Sequence, residues 1–491
     1  MLTLQALAIF AAVKGDATAV EFNAGDLSWR QLHNSVSNKV TVLLREFKGN
    51  IPRQAVYLSE NGPNLIAWLG ACATLGVTAT GLDHTADPQA LRETIGRLNP
   101  DLVLLSQHLE REAGIEVGFG AVPVFMFDPF TVSDQAEGKA PDLAKVLPLA
   151  FRSVVVTSGT TGRPKLAVRT ESFEKRRFSY FSERFRLDGR DRFLACIPIH
   201  HAAGNGWIRF TLSLGGTVVL ADKDDGATLA NAVYRKGIST AVLTPILLDR
   251  IVDAINRGSY GGRPEQLRWV LVGGKNFTPH QKRRSIEALG VVYEYYGTTE
   301  TGVNTLADPV DLLLHPRSVG KVFSGNDIVI VGPHDRPLKA GETGAVAVAS
   351  YMNMAAYTDA PAHEIHLGGR RYLVTPDQGN LDEDGRLYLK NRLSRPEAVV
   401  DLYGLEDEIR AIESVRDVIL HQDRAAAPDE ICCALVSTEP AAVETLVRGL
   451  ARQRGLSLTG FRLVEEIPYS PTGKVRVEFI ESALVNQRRQ S

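Results

Sequence analysis

Hydrophobic and polar positions alternate in the first 150 residues in a way that is typical of parallel α/β folds. The apolar runs Gln54–Leu58 and Leu102–Leu105 predict buried strands, and the segments Ser28–Leu44 and Asn64–Leu75 carry hydrophobic residues at helical spacing. Strands that alternate with helices in this order indicate βαβ units around a mostly parallel sheet. We therefore expect an α/β fold in the N-terminal part of the chain.

The pattern continues beyond residue 150 and then changes twice. Three further apolar runs predict buried strands, at Val218–Leu220, Thr240–Leu243 and Trp269–Val272. From 319 to 348, short apolar runs separated by glycine turns predict an antiparallel subdomain. The polar, proline-containing segment Asn391–Pro396 suits a domain boundary. The sequence therefore predicts a large domain of mixed, mostly parallel sheets with helices and an antiparallel subdomain at 1–392, and a small mobile α/β domain at 393–491.

Composition and charge narrow the class of protein. The 491 residues are 44% hydrophobic and 23% charged, which is ordinary for a soluble globular protein of several domains. Lys and Arg number 55 against 57 Asp and Glu, so no basic excess indicates a nucleic-acid partner. The four cysteines include no C-x-x-C pair, which argues against a disulfide framework or a zinc site and favours a reducing compartment.

The apolar N-terminal segment Leu2–Val13 invites comparison with a targeting segment. No Lys or Arg precedes it and Thr3 and Gln5 interrupt it, so the pattern predicts a first helix and not a signal peptide. No uninterrupted apolar run reaches the roughly 20 residues that a membrane span needs. We expect a cytoplasmic protein with no membrane partner.

A loop rich in hydroxyl groups follows the apolar run Val154–Val156. It contains four hydroxyl residues, two glycines and two cations in nine positions: Thr157, Ser158, Gly159, Thr160, Thr161, Gly162, Arg163, Pro164 and Lys165. Glycines allow backbone N–H groups to face an anion, and the hydroxyls and cations add donors and positive charge. The loop lacks the spacing of a Walker A motif. Taken alone, it fits either a polyphosphate-binding loop or a polar surface turn.

Three other stretches are weak signals singly. They are Tyr295–Glu300, with the sequence Tyr-Tyr-Gly-Thr-Thr-Glu, the Thr375-Pro376-Asp377 tripeptide, and Pro471-Thr472-Gly473-Lys474. Together with the hydroxyl-rich loop, and in this order, they resemble the adenylate-forming superfamily. That superfamily includes acyl- and aryl-CoA synthetases, adenylation domains of peptide synthetases, and firefly-type luciferases. The resemblance extends from Leu27 to Lys474 and covers almost the whole chain.

The resemblance implies that a carboxylate attacks the α-phosphorus of ATP and that pyrophosphate leaves. Because two anions must meet, this reaction needs charge neutralisation and positioning more than a covalent nucleophile. The loop 157–165 would then hold the β- and γ-phosphates of ATP. Adenine would stack on Tyr296 of the Tyr296-Gly297 pair, with Gly273-Gly274 on its other face. Asp377 would accept from the ribose hydroxyls, and Arg392 would support the ribose.

The resemblance also implies roles at the reacting atoms. Glu300 is a hard oxygen ligand suited to Mg²⁺, and Thr299 would donate to an α-phosphate oxygen. Lys474 would reach into the site from the small domain and bridge the attacking carboxylate oxygen and the α-phosphate.

The side of the site that binds the acid is implied by Pro198–Gly204, which resembles the Pro-x-x-His-x-x-Gly stretch of acyl- and aryl-CoA synthetases. His201 would lie beside the substrate carboxylate. The region lacks the Asp that usually holds an amino acid's ammonium group, which disfavours α-amino acids. The candidate pocket-wall residues are His200, Asn205, Trp207, Lys275, Thr298 and Asn304. Lys275 fits either a partner for a polar or anionic substrate substituent or a solvent-facing lysine.

The predicted hinge departs from the family pattern. Arg392 is present, but Arg395-Pro396 occupies the hinge, and Ala398 and Asp401 replace the usual Lys and Gly. Proline fixes φ, whereas domain rotation requires a residue that absorbs a backbone change. The first half-reaction therefore looks intact, and three readings stay open. They are transfer to a CoA or carrier-protein thiol, transfer to an amine, and a nucleotide-binding protein without catalysis.

Overall fold

The computed structural model describes residues 2–23, 25–109, 121–132, 152–157, 164–222, 225–258, 260–392, 400–422, 427, 429–469, 475 and 479. The chain divides into two compact units. The first unit comprises Met1–Leu243, Asp253–Val270 and Tyr351–Pro361, and the second comprises Thr244–Val252, Leu271–Ser350 and Ala362–Ser491. This division does not test the predicted domain boundary at residue 392, which stays a prediction.

The first unit contains two mostly parallel sheets. One has the all-parallel order Thr78–Gly81, Gln54–Leu58, Leu102–Ser106 and Val124–Phe127. The other runs Thr240–Leu243, Arg192–Ala195, Thr217–Leu220, Thr18–Phe22 and Gly25–Ser28, and its last pair is antiparallel. The predicted parallel α/β fold is therefore confirmed in this unit.

A smaller antiparallel sheet also belongs to the first unit. Its strands are Arg152–Thr157, Lys165–Thr170 and Ala356–Tyr357. The helices of the unit are Leu4–Lys14, Trp29–Glu46, Pro63–Leu75, Pro88–Leu98, Glu171–Phe185, Ala202–Ser213 and Gly226–Arg235. The helix Pro245–Arg257 and the strand Trp269–Val272 have residues in both units.

Local sequence explains where these elements begin and end. Ser28 and Gln31 form a reciprocal capping box at the start of the helix Trp29–Glu46. Pro63 opens the next helix and Gly76, in the left-handed region, ends it. Every residue of the strand Leu102–Ser106 is buried, as expected for a strand covered on both faces of a parallel sheet.

The second unit is built mainly from antiparallel strands. One sheet contains Asp327–Val331, Gly344–Ala349, Arg370–Leu381, Glu364–Leu367 and Leu387–Arg392. Val292–Thr298, Gly302–Ala307 and Lys321–Val322 do not belong to that sheet, and they pair antiparallel with one another. The helices Pro279–Leu289 and Pro309–Leu314 and the short 3₁₀ helix Pro333–Asp335 complete this part. The predicted antiparallel subdomain is confirmed, and it extends beyond 348 to Arg392.

The C-terminal part of the second unit is a small α/β layer. Its sheet consists of Val415–His421, Glu430–Ser437 and Ser457–Leu463, the first pair antiparallel and the second parallel. The helices Leu402–Arg410 and Pro440–Gln453 pack against this sheet through a shared core. The fully buried members of that core include Leu405, Ile409, Cys433, Leu435, Val443 and Val447. Among the described residues, no helix is both long and apolar enough to cross a membrane.

Trp207 lies in an aromatic cluster inside the first unit. Its side chain is buried, and its ring centroid is 4.9 Å from that of Phe181, 5.3 Å from Trp269 and 5.5 Å from Phe210. Tilted and edge-to-face contacts of this kind stabilise a core beyond the area that they bury. The structure therefore gives Trp207 a packing role, and its predicted place in a pocket wall stays a prediction.

We expect Trp207→Ala to destabilise the first unit by about 3–5 kcal/mol, because it removes a large buried ring and leaves a cavity. Denaturant unfolding followed by fluorescence or circular dichroism measures the loss. Val13→Ala is the control, since Val13 is 78% exposed and its truncation should change stability by less than about 0.5 kcal/mol. Unchanged stability with weakened binding of the acid would instead place Trp207 in the pocket wall.

Candidate active site

A cavity in the second unit brings together several residues that the sequence singled out. It is lined by residues 274–277, Lys282, residues 294–297, Pro316, Arg317, Val319, Asp377, Leu389, Arg392, Tyr403 and Asp407. The predicted nucleotide residues among them are Gly274, Tyr296, Gly297, Asp377 and Arg392. These five residues come from four separated stretches of the chain and meet at one concave surface, which is the usual form of a small-molecule site.

Strand alternation sets the two tyrosines of the motif on opposite faces. Tyr296 packs among apolar residues of the antiparallel sheet, and its hydroxyl donates to Asp377 Oδ2 at 2.8 Å. Tyr295 faces Gly273, where a Cβ atom would lie 2.5 Å from a carbon of the tyrosine ring. Gly274 has a φ of +90°, a conformation that favours glycine. The close approach of the Tyr295 ring to Gly273 and the backbone conformation of Gly274 therefore explain why two glycines follow the strand Trp269–Val272.

Asp377 is a buried carboxylate with two compensating neighbours. It is 5% exposed, and its backbone lies opposite Arg392 in the ladder between Arg370–Leu381 and Leu387–Arg392. The Asp377 carboxylate raises the pKa of Arg392, and burial raises the pKa of Tyr296 well above its ordinary value. Tyr296 therefore stays protonated as a donor, and Asp377 keeps lone pairs that can accept from hydroxyl groups.

An ion pair at the cavity wall has no signal in the sequence. Lys282 Nζ lies 2.7 Å from Glu294 Oε2, and the two side chains are 2% and 3% exposed. The ammonium also donates to the carbonyls of Pro316, at 2.7 Å, and Ser318, at 3.0 Å. Burial raises the pKa of Glu294, and the lysine opposes that shift. The period of two along the strand puts Glu294 on the same face as Tyr296, but nothing local pairs it with Lys282.

The turn that carries Thr299 and Glu300 is held by its own hydroxyl groups. The hydroxyls of Thr298 and Thr301 are hydrogen-bonded at 2.9 Å, and the backbone N–H of Thr301 donates to Thr298 Oγ1 at 3.1 Å. Asn304, which is fully buried, donates from Nδ2 to Thr301 Oγ1 at 2.8 Å. Thr298 and Asn304 thus stabilise the turn, and their predicted contact with the acid stays a prediction.

Gly297 begins this turn, and it cannot carry a side chain. A Cβ atom there would lie 2.1 Å from the carbonyl oxygen of Gly302. Close pairing of the two strands at this point therefore requires glycine.

The Pro198–His201 segment in the first unit is clamped by residues that the sequence did not single out. Asn61 donates from Nδ2 to the carbonyl of Ile197 at 3.0 Å and accepts from the N–H of Ile199 at 2.7 Å. Tyr57 donates to the carbonyl of Ile199 at 2.9 Å, and burial raises its pKa to about 12. Both residues lie at the end of the strand Gln54–Leu58, far away in sequence.

The two histidines and Asn205 lie around this clamped segment. His201 is the N-cap of the helix Ala202–Ser213, and its Nδ1 accepts from the N–H of Ala203 at 3.3 Å. Asn205 donates to the hydroxyl of Tyr57 at 3.1 Å. The ring of His200 meets His84 edge-on, with centroids 6.3 Å apart. Within the described part of the chain, no group of three His, Cys, Asp or Glu residues could hold a metal ion.

The base of the hydroxyl-rich loop is an antiparallel pair of strands. Thr157 and Lys165 are opposite each other at its end, and Lys165 Nζ lies 4.9 Å from the centroid of the Tyr357 ring. Arg97 donates to the carbonyl of Pro164 at 2.7 Å. Some predicted residues lie outside the described residues, namely Ser158, Gly159, Thr160, Thr161, Gly162, Arg163, Arg395, Pro396, Ala398 and Lys474.

A family model described as AMP-binding enzyme matches residues 7–358. This chain belongs to that family. The predicted adenylate-forming superfamily and the predicted acyl-AMP-forming ligase are thereby confirmed at the level of the family.

Curated relatives and a solved structure agree with this assignment. The chain is 26% identical to indoleacetate–CoA ligase of Aromatoleum aromaticum over 76% of this chain and 75% of the relative. It is also 26% identical to 2-succinylbenzoate–CoA ligase of Lactococcus lactis, over 92% and 94% of the two chains. The amide bond synthetase McbA from Marinactinospora thermotolerans has the same fold, with a TM-score of 0.80 at 22% identity over 98% of this chain and 99% of that one.

Asp407 at the cavity wall yields a prediction about pH. Burial raises its pKa to about 6, against the opposing charge of Arg317 and a hydrogen bond from Asn276. The pKa of Asp407 in the folded protein lies above its value in the unfolded chain, which is near 3.9. The contribution of this carboxyl to the free energy of unfolding is therefore fully present in acid and is lost as the pH rises through 6. We therefore expect Asp407→Asn to stabilise the protein by about 2 kcal/mol at about pH 7.5, and by less than half as much at about pH 4.5.

Denaturant unfolding of both proteins at the two pH values measures this difference. Glu383→Gln is the control, since Glu383 is exposed and its substitution should change the stability by less than about 0.5 kcal/mol. A gain that is equal at both pH values would contradict the assignment to the Asp407 carboxyl.

Proposed function

We propose that this enzyme activates an aryl or acyl carboxylic acid with ATP and then transfers the acyl group to a thiol. The thiol of CoA is the first candidate acceptor. The observation that supports this most strongly is the buried Asp377, bound by Tyr296, opposite Arg392 and in one cavity with Gly274. A carboxylate with free lone pairs beside an aromatic ring and a glycine strand end suits the ribose and base of a nucleotide.

We extend the proposal to the nucleotide roles that the family resemblance implies for these residues. Tyr296 and Gly273-Gly274 would flank adenine, Asp377 would accept from the ribose hydroxyls, and Arg392 would support the ribose. The loop from Thr157 to Lys165 would hold the β- and γ-phosphates. Its hydroxyl groups and cations suit the charge that accumulates on departing pyrophosphate.

In the first half-reaction a carboxylate oxygen forms a bond to the α-phosphorus while the bond from that phosphorus to the bridging oxygen breaks. Thr299 would donate to an α-phosphate oxygen, and Glu300 would hold Mg²⁺, which typically binds one or two carboxylates together with substrate phosphates. Mg²⁺ would supply neutralising charge at the phosphates. Lys474 would offset the charge where carboxylate and phosphate approach each other.

The acid would bind near His201, with His200, Asn205, Trp207, Lys275, Thr298 and Asn304 as candidate wall residues. Two relatives act on indoleacetate and 2-succinylbenzoate, which supports an aryl acid.

We further propose the domain division at residue 392, so that a small domain, 393–491, carries Lys474. Four buried free cysteines suit the reducing cytoplasm as its location.

Amine transfer is a second candidate function. The Arg395-Pro396 pair occupies the predicted hinge, and one enzyme of the same fold is an amide bond synthetase. An amine attacks the acyl carbon of the adenylate directly, so AMP leaves and an amide forms without a thioester. A carrier-protein phosphopantetheine thiol is the third acceptor to be offered.

We expect Lys474→Ala to lower the rate of pyrophosphate release by at least about 100-fold while ATP binding changes less than about threefold, because its charge acts mainly in the transition state. Pyrophosphate release and calorimetric ATP binding give the two values. Lys339→Ala, an exposed lysine, is the control and should leave both unchanged. Full adenylation in Lys474→Ala would contradict the role proposed for this residue.

The acid and the acceptor are identified in two steps. Hydroxylamine trapping with aryl, heteroaryl, short-chain and α-amino acids should give the highest rates with aryl acids. The best acid is then offered with CoA, a carrier protein or a panel of amines, and the products are identified by mass spectrometry. A thioester with CoA supports the first candidate, and an amide in the absence of any thiol supports the second. No adenylate from any acid at saturating ATP and Mg²⁺ would overturn the proposed function.

A further inference from the structure

Tyr403 is a residue of the cavity wall to which the proposed nucleotide roles give no function. It lines the same cavity as Tyr296, Asp377 and Arg392, and its side chain is partly buried. All four residues belong to the second unit. No motif singles out Tyr403 in the sequence, because the chain returns to this cavity only after residue 400. The cavity therefore contains one more hydroxyl group than the nucleotide roles use.

The helix that carries Tyr403 is fixed at the cavity by its first turn. Tyr403 is the second residue of the helix Leu402–Arg410, whose N-cap Asp401 accepts from the N–H of Gly404 at 2.9 Å. The Asp401 carboxylate also pairs at 3.2 Å with Arg317, another residue of the cavity wall. A Cβ atom on Gly404 would lie 2.0 Å from a guanidinium nitrogen of Arg317, so the guanidinium packs directly against the glycine. The turn that contains Tyr403 is thus held against the wall.

A second contact fixes the same helix one turn later. Asp407 lies four residues after Tyr403, which puts both side chains on one side of the helix, and both line the cavity. Asn276 donates to the Asp407 carboxylate at 3.3 Å. The two contacts, one at each turn, give the Tyr403 ring a defined place in the wall.

The hydroxyl of Tyr403 is within electrostatic reach of the charged pair in this cavity. Burial raises the pKa of Tyr403, the Asp377 carboxylate raises it further, and Arg392 opposes the shift. Tyr403 in turn contributes, after Asp377, to the raised pKa of Arg392. The Tyr403 hydroxyl therefore stays protonated and keeps a hydrogen that it can donate.

Asp377 and Tyr403 do not bond to each other. The Asp377 carboxylate accepts from the Tyr296 hydroxyl at 2.8 Å, whereas Tyr403 acts on it through charge and not through a hydrogen bond. A donor and an acceptor that line one cavity without bonding to each other can both be satisfied by one polar group of a ligand. A ribose hydroxyl has the right chemistry, because it can donate to the carboxylate and accept from the tyrosine at the same time.

We propose that Tyr403 is a specificity residue for the sugar of the nucleotide: its hydroxyl donates to the oxygen of a ribose hydroxyl that itself donates to Asp377. This inference rests on the proposed function through the nucleotide role of Asp377. A site that hydrogen-bonds a substrate hydroxyl rejects the analogue that lacks it, because polar groups of the site are then left unpaired. Tyr403 thereby favours ATP over a deoxyadenosine triphosphate.

The test compares Tyr403→Phe with the wild type in the full-length chain. Phenylalanine keeps the ring and removes only the hydroxyl. Calorimetric titration with ATP, 2′-deoxy-ATP and 3′-deoxy-ATP in the presence of Mg²⁺ gives a Kd for each nucleotide without turnover. We expect Tyr403→Phe to weaken the binding of ATP by about 3- to 10-fold, which is the range for one hydrogen bond.

The ratio of the Kd of each analogue to the Kd of ATP decides the question. For the analogue that lacks the bonded hydroxyl, Tyr403→Phe and the wild type should bind equally well, because the tyrosine has no partner to lose. The ratio for that analogue should therefore fall by about 3- to 10-fold in Tyr403→Phe. Equal weakening of all three nucleotides, or no change in any of them, would overturn the inference.

Tyr388→Phe is the matched control. Tyr388 lies on the strand Leu387–Arg392, and its hydroxyl donates to Asp382 Oδ2 at 3.2 Å, but it is not among the residues that line the cavity. We expect the three Kd values of Tyr388→Phe to equal those of the wild type. If the ratio fell as much in Tyr388→Phe as in Tyr403→Phe, the loss would not belong to the cavity and the inference would be wrong.

Thermal unfolding separates a ligand contact from a structural role. Without nucleotide, Tyr403→Phe should unfold within about 2 °C of the wild type, because no hydrogen bond within the described part of the chain is removed. At one fixed concentration of ATP, the rise in melting temperature should be smaller in Tyr403→Phe. A large loss of stability without nucleotide would make the hydroxyl structural and contradict the inference.

The failure of this inference is distinct from the failure of the proposed function, because the Kd values do not depend on turnover. If the wild type binds ATP but forms no adenylate from any acid, the proposed function is wrong, and the Kd ratios still decide the inference. If the wild type forms adenylate and the ratios are the same in Tyr403→Phe, only the inference is wrong. A wild type that binds none of the three nucleotides would overturn both.

Discussion

The buried carboxylate of Asp377 is the constraint on which the candidate nucleotide cavity depends. A carboxylate removed from water must be hydrogen-bonded and charge-compensated, or it takes up a proton. Tyr296 supplies the hydrogen bond, and Arg392, opposite Asp377 in the ladder, supplies the charge. A shift of either strand by one residue would turn these side chains to the other face of the sheet. The antiparallel register therefore carries the chemistry as well as the fold.

The wall of the same cavity contains a second compensated charge, the buried ion pair of Lys282 and Glu294. Lys282 serves Glu294 and two backbone carbonyls at once, so its desolvated ammonium is saturated with acceptors. Removing one partner of such a pair costs far more than replacing both, because the remaining charge is left buried alone. Fixed charges and dipoles of this kind do not need to reorganise when a polar ligand binds, which is how preorganised sites favour charged transition states.

Lys275 and Asp407 differ from these compensated charges, because burial shifts the pKa of each group in the direction that favours its neutral form. Asp407 holds a proton more readily than usual, and Lys275 releases one more readily. Each takes part in a contact between residues 275–276 and the chain after residue 400: Asp407 accepts from Asn276, and Lys275 lies over the ring of Tyr469. Groups whose pKa is shifted by burial are concentrated at functional sites.

Short-range patterns were enough to predict the α/β fold, the antiparallel subdomain and the family. The hydroxyl-rich loop 157–165 and the Tyr295–Glu300 motif are local, since their residue types and spacing lie within nine positions. The pairs Lys282–Glu294, Asn61–Ile199 and Lys275–Tyr469 could not be predicted, because their members are brought together only by packing. The same limit applies to Trp207, because the local sequence does not distinguish a tryptophan in a pocket wall from one in a core. Residue identity determined which chemistry is available, and the direction of each side chain, which depends on strand register and helix packing, decided where it is used.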